Sequence, residues 1–262
     1  RHTRICFTSD HMIVRDATRM MLVSLMGLKY IFSMKGRERG LVAMETNIKD
    51  YVLCGLILTA ITCVGILATF LVTSAVSWLL PLGEYQVVLG TLLFLLFYGF
   101  ISGLAIRFFV KFRPLKEGYF TMNSTTFMDW KLLIMMSNFG QRALAPFNFF
   151  FLGSVFAALY GAKIGKNSAV SVPLVDAFMV EIGDNSIVGA GTLICGNYLE
   201  KDKIFISPIK IGHNVTIGMN CVVLPNTVIG DGATLSIGSV VMPGTVIPAG
   251  ETWKGNPARK WQ

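Results

Sequence analysis

The sequence predicts two fold classes in one chain: a membrane α-helical hairpin, then an all-β coil of stacked parallel strands. Three observations predict them. Aliphatic residues recur every six positions at Ile211, Ile217, Val223, Ile229, Leu235, Val241 and Ile247. Two long runs, Tyr51–Leu80 and Val87–Ile106, contain no charged residue. The 262-residue chain is 53% apolar and only 15% charged, with a mean hydropathy of +0.60. That is too apolar for a soluble enzyme and points to membrane segments plus one globular piece.

The coil follows from its period. No α-helix repeats every six residues, and a strand pair would repeat every two. A fixed short period means stacked units. Each unit is one short strand and one corner, with the aliphatic pointing inward. Glycine follows the aliphatic at Gly212, Gly218 and Gly230. A glycine or asparagine-type residue is expected at the corner, where φ is positive. The same frame runs upstream through Ile164, Val170, Ile182, Val188 and Ile194. Ile182 minus Ile164 is eighteen, one turn of a three-sided prism.

Residues 1–50 form a basic arm, with an interfacial helix expected over Met20–Met34 despite Lys29. The chain begins at Arg1 rather than Met, as a piece of a longer protein would. Residues 51–112 hold the hairpin. About twenty apolar residues cross the hydrocarbon, and both runs suffice. Pro81, Gly83 and Glu84 make the turn. That outer loop carries no Lys or Arg, whereas the arm and Arg107, Lys111, Arg113 and Lys116 are basic. The positive-inside rule then puts both ends in the cytoplasm and the hairpin in the inner (cytoplasmic) membrane. Residues 113–160 read as a polar link over Phe112–Trp130, then two helices lying in or dipping into the leaflet, or else buried within the domain. Residues 161–262 are the coil.

The net charge of +8 admits nucleic acid, anionic lipid or a phosphate-bearing cofactor as partner. The basic residues flank apolar runs and form no aromatic-interleaved patch, so lipid and cofactor are favoured and no nucleic acid is expected. Cys6, Cys54, Cys63, Cys195 and Cys221 form no Cys-x-x-Cys pair and read as free thiols, with no zinc site or disulfide frame. No metal constellation is visible. The spans carry no Asp, Glu, Lys or Arg inside them, which argues against a transporter.

The frame breaks once, between Ile194 and Ile211. The charged piece Asn197-Tyr198-Leu199-Glu200-Lys201-Asp202-Lys203 reads as a loop leaving the prism wall, where function concentrates. Asp176 is also odd. It occupies the inward frame, six before Ile182, where an unpartnered carboxylate is costly. Either the frame slips at Pro173, or Asp176 turns toward a cleft.

The six-residue frame and the ending Trp253-Lys254-Gly255-Asn256-Pro257-Ala258-Arg259-Lys260 resemble the hexapeptide-repeat acyltransferases. Further residues narrow the resemblance: Arg113 to Tyr119, Trp130, Gly161-Ala162-Lys163-Ile164-Gly165, Asp176, and Asn197 to Glu200. They resemble the membrane-anchored Pls/PosA-type terminal domain of peptide synthetases and related stand-alone membrane acyltransferases. This covers about residues 110–262 and implies several things. The coil is a left-handed parallel β-helix. Three copies assemble, and acetyl-CoA or another acyl-CoA lies between neighbouring coils. The pantetheine arm follows backbone amides such as that of Gly218. Lys254, Arg259 and Lys260 meet the phosphates, while Trp253 or Trp261 stacks the adenine. The acceptor is a lipid-linked, sugar or peptide group with a hydroxyl or amine, reached from the lipid bilayer.

In that family a histidine three residues before the acidic residue suits the role of general base. Here the position is Asn197, which accepts no proton near neutral pH. The chain is then an acyltransferase with another base, a variant without one, or a catalytically disabled scaffold. His213 is the substitute base or a surface-corner residue. Asp176 would orient the base, and Glu200 is a weaker candidate for that role.

Overall fold

The computed structural model describes residues 48–79, 83–148, 152–171, 174–200 and 202–261. All lie in the unit Met44–Gln262. The interfacial helix expected over Met20–Met34, and Pro81 of the turn, fall outside the described residues.

Helix α1 runs Ile48–Leu79 and α2 runs Tyr85–Phe112. They pack against each other as the apolar runs predict. At 1.5 Å per residue both exceed the roughly 30 Å of bilayer hydrocarbon. Gly83, at φ 56°, makes the connection. The residues after α2 are more ordered than a polar link. A strand spans Gly118–Thr121, and helix α3 spans Thr125–Leu144. The side chain of Ser124 caps α3, accepting from the Phe127 amide at 3.2 Å. A short helix α4, Gly153–Leu159, follows.

Small residues seat these helices against α2. A methyl group on Gly99 would lie 2.3 Å from the Leu144 side chain, and one on Gly103 would lie 2.6 Å from that of Leu159. Tyr160 is fully buried and donates from its hydroxyl to the Gly99 carbonyl at 2.9 Å. Helix α4 closes the first turn of the coil. The Ser154 hydroxyl donates to the Ser168 carbonyl at 2.7 Å and accepts from the Val170 amide at 3.0 Å. The two expected helices are therefore present and are packed within this unit.

The coil has three parallel faces. Ile164, Ile182, Ile211, Ile229 and Ile247 stack on one. Val170, Val188, Ile217, Leu235 and Trp253 stack on the second, and Ile194, Val223 and Val241 on the third. The inward residues from Ile211 to Ile247 are all at most 4% exposed. Each rung donates to the next: Gly212 N–H to Ile229 C=O and Gly230 N–H to Ile247 C=O, both at 2.8 Å.

Two kinds of corner residue separate here. Positive φ falls three residues after each aliphatic, at Asn214, Asn220, Asn226, Gly232, Gly238, Gly244 and Gly250. Only asparagine and glycine enter that region readily. Gly212, Gly218 and Gly230, directly after the aliphatic, have no positive φ and answer to space instead. A methyl group on Gly230 would lie 2.6 Å from the Ala249 backbone nitrogen.

Candidate active site

The regular rise fails once. Ile182 pairs with Ile211, a step of 29 residues instead of the 18 that separate Ile211 from Ile229. The extra length leaves the wall as an antiparallel hairpin of Asn197–Glu200 and Lys203–Ile206. Its base is closed by the Ser207 amide donating to the Gly196 carbonyl at 3.0 Å. The upstream strand Gly118–Thr121 adds to it, pairing Tyr119 with Phe205. The expected loop is thus a three-stranded sheet, built partly from the stretch that reads as link.

Alternation gives this sheet two faces. The inner face carries Ile204 and Ile206, buried with Phe127 and Met179. The outer face carries Tyr119, Phe205 and Tyr198 in one cross-strand row, with the two tyrosine hydroxyls 2.8 Å apart. That hydrogen bond is the leading cause that pushes Tyr198 up to about 12.

Asn197 lies at the inner end of the hairpin and is nearly buried. Its amide nitrogen donates to Asp176 Oδ2 at 2.6 Å. Trp130, on α3, donates from its indole N–H to Asp176 Oδ1 at 3.2 Å. The Cys195 thiol lies 3.9 Å from Asp176 Oδ2 and 3.3 Å from the Asn197 carbonyl it donates to. Asp176 is 1% exposed. The six-residue frame slips by two here: the Val175 amide donates to the Ile194 carbonyl at 3.4 Å, so the buried Leu174 takes the rung beneath Ile194, and Asp176 turns to the hairpin base, where the fold partners its carboxylate. Burial pushes its carboxyl above the usual range, and hydrogen bonds from Asn197, Trp130, Gly196 and Cys195 oppose that. Burial, then the neighbouring Asp176 charge, pushes the Cys195 thiol up to about 11. Cys195 is thus a protonated thiol at neutral pH and no nucleophile.

Gly196 makes the approach possible. A methyl group there would meet Met179 Cβ at 2.9 Å and Asp176 Cβ at 3.3 Å. Trp130, Cys195 and Gly196 are the members of this cluster whose roles sequence reasoning missed. The nearest signal was Cys195-Gly196 directly before Asn197.

The other expected residues lie elsewhere. Glu200 is exposed, opposite Lys203 near the hairpin tip, and alternates onto the outer face. It does not reach Asp176. His213 follows a rung of the first face, whereas Asn197 follows the third. His213 Nδ1 accepts from the Asp184 amide at 2.9 Å, and its own amide donates to Asp231 Oδ1 at 2.7 Å. It holds a corner, and the structure does not bring it to residue 197. Gly218 uses its amide on the Leu235 carbonyl at 2.8 Å.

The C-terminal hairpin pairs Trp253 with Lys260 and Lys254 with Arg259. Lys260 binds Glu251 at 2.6 Å, and the Trp253 indole donates to the same carboxylate at 2.8 Å. Lys254 lies over the Trp261 ring at 4.2 Å. A phosphate arriving at Lys260 or Lys254 exchanges these partners for itself. No group of three metal-binding side chains occurs among the described residues.

Comparison with known proteins fits this geometry. Residues 208–241 match the bacterial transferase hexapeptide (six repeats), and residues 161–195 match the hexapeptide repeat of succinyl-transferase. The gap between the two matches is the hairpin. These transferase-type hexapeptide repeats, with the parallel rungs, fit a left-handed β-helix. Among solved structures, a hexapeptide-repeat acetyltransferase from Vibrio cholerae complexed with acetyl-coenzyme A is 25% identical, with a TM-score of 0.37. That alignment covers 39% of this chain and 60% of the other, so this chain spans under two thirds of that relative. A galactoside acetyltransferase in complex with coenzyme A is 22% identical over 55% and 85% of the two chains, with a TM-score of 0.42. A maltose O-acetyltransferase from Clostridium difficile is 22% identical over 63% and 96%, with a TM-score of 0.40. No curated protein matches the sequence.

Proposed function

We propose that this chain is a membrane-anchored, CoA-dependent acyltransferase of the Pls/PosA type. It moves an acetyl group from acetyl-CoA to a hydroxyl or amine of a membrane-associated acceptor. The observation that carries the proposal is the clasp at the hairpin base. A buried carboxylate, Asp176, is aimed by Trp130 at side chain 197, where an insertion opens a wall of hexapeptide repeats.

In the reaction the acceptor attacks the thioester carbonyl, the new C–O or C–N bond forms, and the C–S bond breaks. Backbone amides at the wall stabilise the oxyanion. A histidine at 197 would take the acceptor's proton and pass it to the departing thiolate, with Asp176 stabilising the imidazolium. Asn197 orients but takes no proton. In this chain the thiolate, or water, collects the proton directly. The coils trimerise, and acetyl-CoA lies between them with its phosphates near Lys254, Arg259 and Lys260.

Membrane anchoring rests on exposure. Phe70, Val87 and Phe108 are 65%, 75% and 67% exposed on helices long enough to span. Apolar area of that extent needs cover, and lipid supplies it. The charge bias puts both helix ends and the coil on the cytoplasmic side of the inner membrane.

The test uses the full chain in detergent micelles with radiolabelled acetyl-CoA and a membrane lipid extract as acceptor. The chain binds acetyl-CoA and transfers slowly, and Asn197→His raises the rate about 10²–10⁴-fold. Failure to bind acetyl-CoA, or an unchanged rate in Asn197→His, overturns the proposal. A second reading is a binding-only scaffold, favoured by the Asn197 amide already donating to Asp176. Tight binding with no turnover in the unaltered chain selects it.

A further inference from the structure

Helix α2 is a ruler for the height of the Asp176 clasp above the bilayer. Its uncharged run, Val87–Ile106, is twenty residues long. At 1.5 Å per residue that is about 30 Å, the thickness of bilayer hydrocarbon. Glu84 precedes the run and Arg107 follows it. With the hairpin across the bilayer, Ile106 marks the near edge of the hydrocarbon.

Helix α3 is tied to α2 at three heights. Beyond that edge, Arg113 binds Asp129 at 3.1 Å. Inside it, Gly140 leaves no room for a methyl group against Ser102, and Gly99 leaves none against Leu144. From Arg113 to Gly99 is fourteen residues of chain, and from Asp129 to Leu144 is fifteen. The two helices therefore run antiparallel with matched rise, and a height on one reads as a height on the other. Phe139, beside Gly140 and 50% exposed, then faces acyl chains. Arg142 is exposed at a similar depth, and its long stem carries the guanidinium back to the edge.

Arg113 stands seven residues past Ile106, so the Asp129 end of α3 lies about 10 Å above the hydrocarbon. Trp130 is the next residue. Its indole donates to Asp176, which accepts in turn from Asn197. The polar layer of one leaflet is about 5–8 Å deep. The clasp thus stands at the outer edge of the headgroup layer.

We infer that the acceptor is a membrane lipid carrying one small polar unit, and that the terminal hydroxyl or amine of that unit is acylated. A single glycerol, ethanolamine or sugar reaches this height. The far end of an extended peptide or glycan lies beyond it. The inference rests on the membrane-anchored acyltransferase reading and narrows its acceptor. The headgroup oxygen or nitrogen bonds to the acyl carbon, the thioester C–S bond breaks, and the displaced proton leaves on the CoA thiol.

The test has two arms, both with the full chain in phosphatidylcholine vesicles. A nitroxide amino acid at position 139 or 125 reports depth by its collisions with oxygen and with a water-soluble nickel chelate. The label at 139 sits inside the hydrocarbon. The label at 125, fourteen residues earlier on α3, sits about 20 Å higher, in water. Equal depths mean that α3 lies flat and overturn the inference while the anchor stands. A chain released by alkaline extraction overturns the membrane reading and the inference together. In the second arm the Asn197→His variant receives radiolabelled acetyl-CoA and either phosphatidylethanolamine or phosphatidylglycerol. Parallel samples carry the same amine or hydroxyl on an oligoproline spacer about 30 Å long. Transfer to the short headgroups is at least about tenfold faster, because position governs the rate. Equal or faster transfer to the extended lipids, or transfer to a soluble sugar or peptide alone, overturns the inference and spares the enzyme. No transfer to any acceptor overturns both.

Discussion

Two stretches of one coil behave differently. From Ile211 to Lys254 every rung repeats the last, the frame residues Ile211 to Ile247 are apolar and buried, the buried Thr227 and Ser239 hydroxyls are held by backbone carbonyls, and amides donate rung to rung. From Asp176 to Ile211 the same coil carries a buried carboxylate, a shielded thiol and an amide, beneath a hairpin that leaves the wall. The repetitive stretch has nothing left to offer a ligand in its interior. The irregular stretch concentrates polar groups that the fold desolvates and then partners. Repetition and polar clustering thus fall to neighbouring turns of one prism, and the hairpin marks the border.

The comparison breaks first if the regular rungs do not carry the stability. Ile229 is 1% exposed and stacked between Ile211 and Ile247. Ile229→Ala removes buried methyl groups and leaves a cavity that a repeating stack cannot collapse around, at a cost of about 2–5 kcal/mol. A denaturant or thermal melt of the chain in micelles reads this as a large loss. The same change at Ile187, which is 51% exposed on the outer surface, costs a small fraction of that. Equal losses at the two positions would mean that outer faces are buried by another copy.

The next measure concerns the irregular turn. Burial raises the Asp176 carboxyl above its ordinary value of 3.8. A raised value in the folded state means the folded chain holds that proton to higher pH than the unfolded chain does. The contribution to stability is full below the unfolded value and is lost as pH rises through the folded one. Asp176→Asn has no proton to lose. Its melting midpoint relative to the unaltered chain therefore climbs over the pH range that begins at the ordinary carboxylate value. A midpoint difference that falls over that range would show that the donors from Asn197 and Trp130 outweigh burial.

The repetitive stretch was legible because its signal is arithmetic. One frame of aliphatics marked the rungs, but at the third face it pointed to Asp176 where Leu174 stands, two residues earlier. The corners were half legible. Glycine after the aliphatic and glycine three residues later look alike in a sequence, yet Gly230 is required by the backbone of the next rung and Gly232 by its φ of 67°. Of the partners of Asp176, residue 197 came only from the family resemblance, and the roles of Trp130, Cys195 and Gly196 were not legible. Trp130 stands 46 residues upstream, on a helix whose capping serine, Ser124, sits in a stretch that reads as link. That Glu200 and Asn197 point to opposite faces follows from strand alternation, but only once residues 197–200 are known to be a strand and not a loop. His213 drew notice as a spare histidine, and only the order of faces separates it from residue 197.

The smallest effect tests how closed the irregular turn is. Cys195 has its thiol pushed up to about 11, by burial first and by the Asp176 charge second. At pH 8 roughly one molecule in 10³ then carries the thiolate, against roughly a quarter for an ordinary cysteine. Iodoacetamide therefore labels Cys195 about 10²-fold more slowly than a free thiol, read by peptide mass spectrometry over time. Asp176→Asn removes the charge that disfavours the thiolate and leaves the burial. Labelling accelerates severalfold and stays below the free-thiol rate. Labelling of the unaltered chain at the free-thiol rate would show solvent reaching the hairpin base. The carboxylate beneath it would then be hydrated, and the contrast between the two stretches would reduce to the presence of a surface loop.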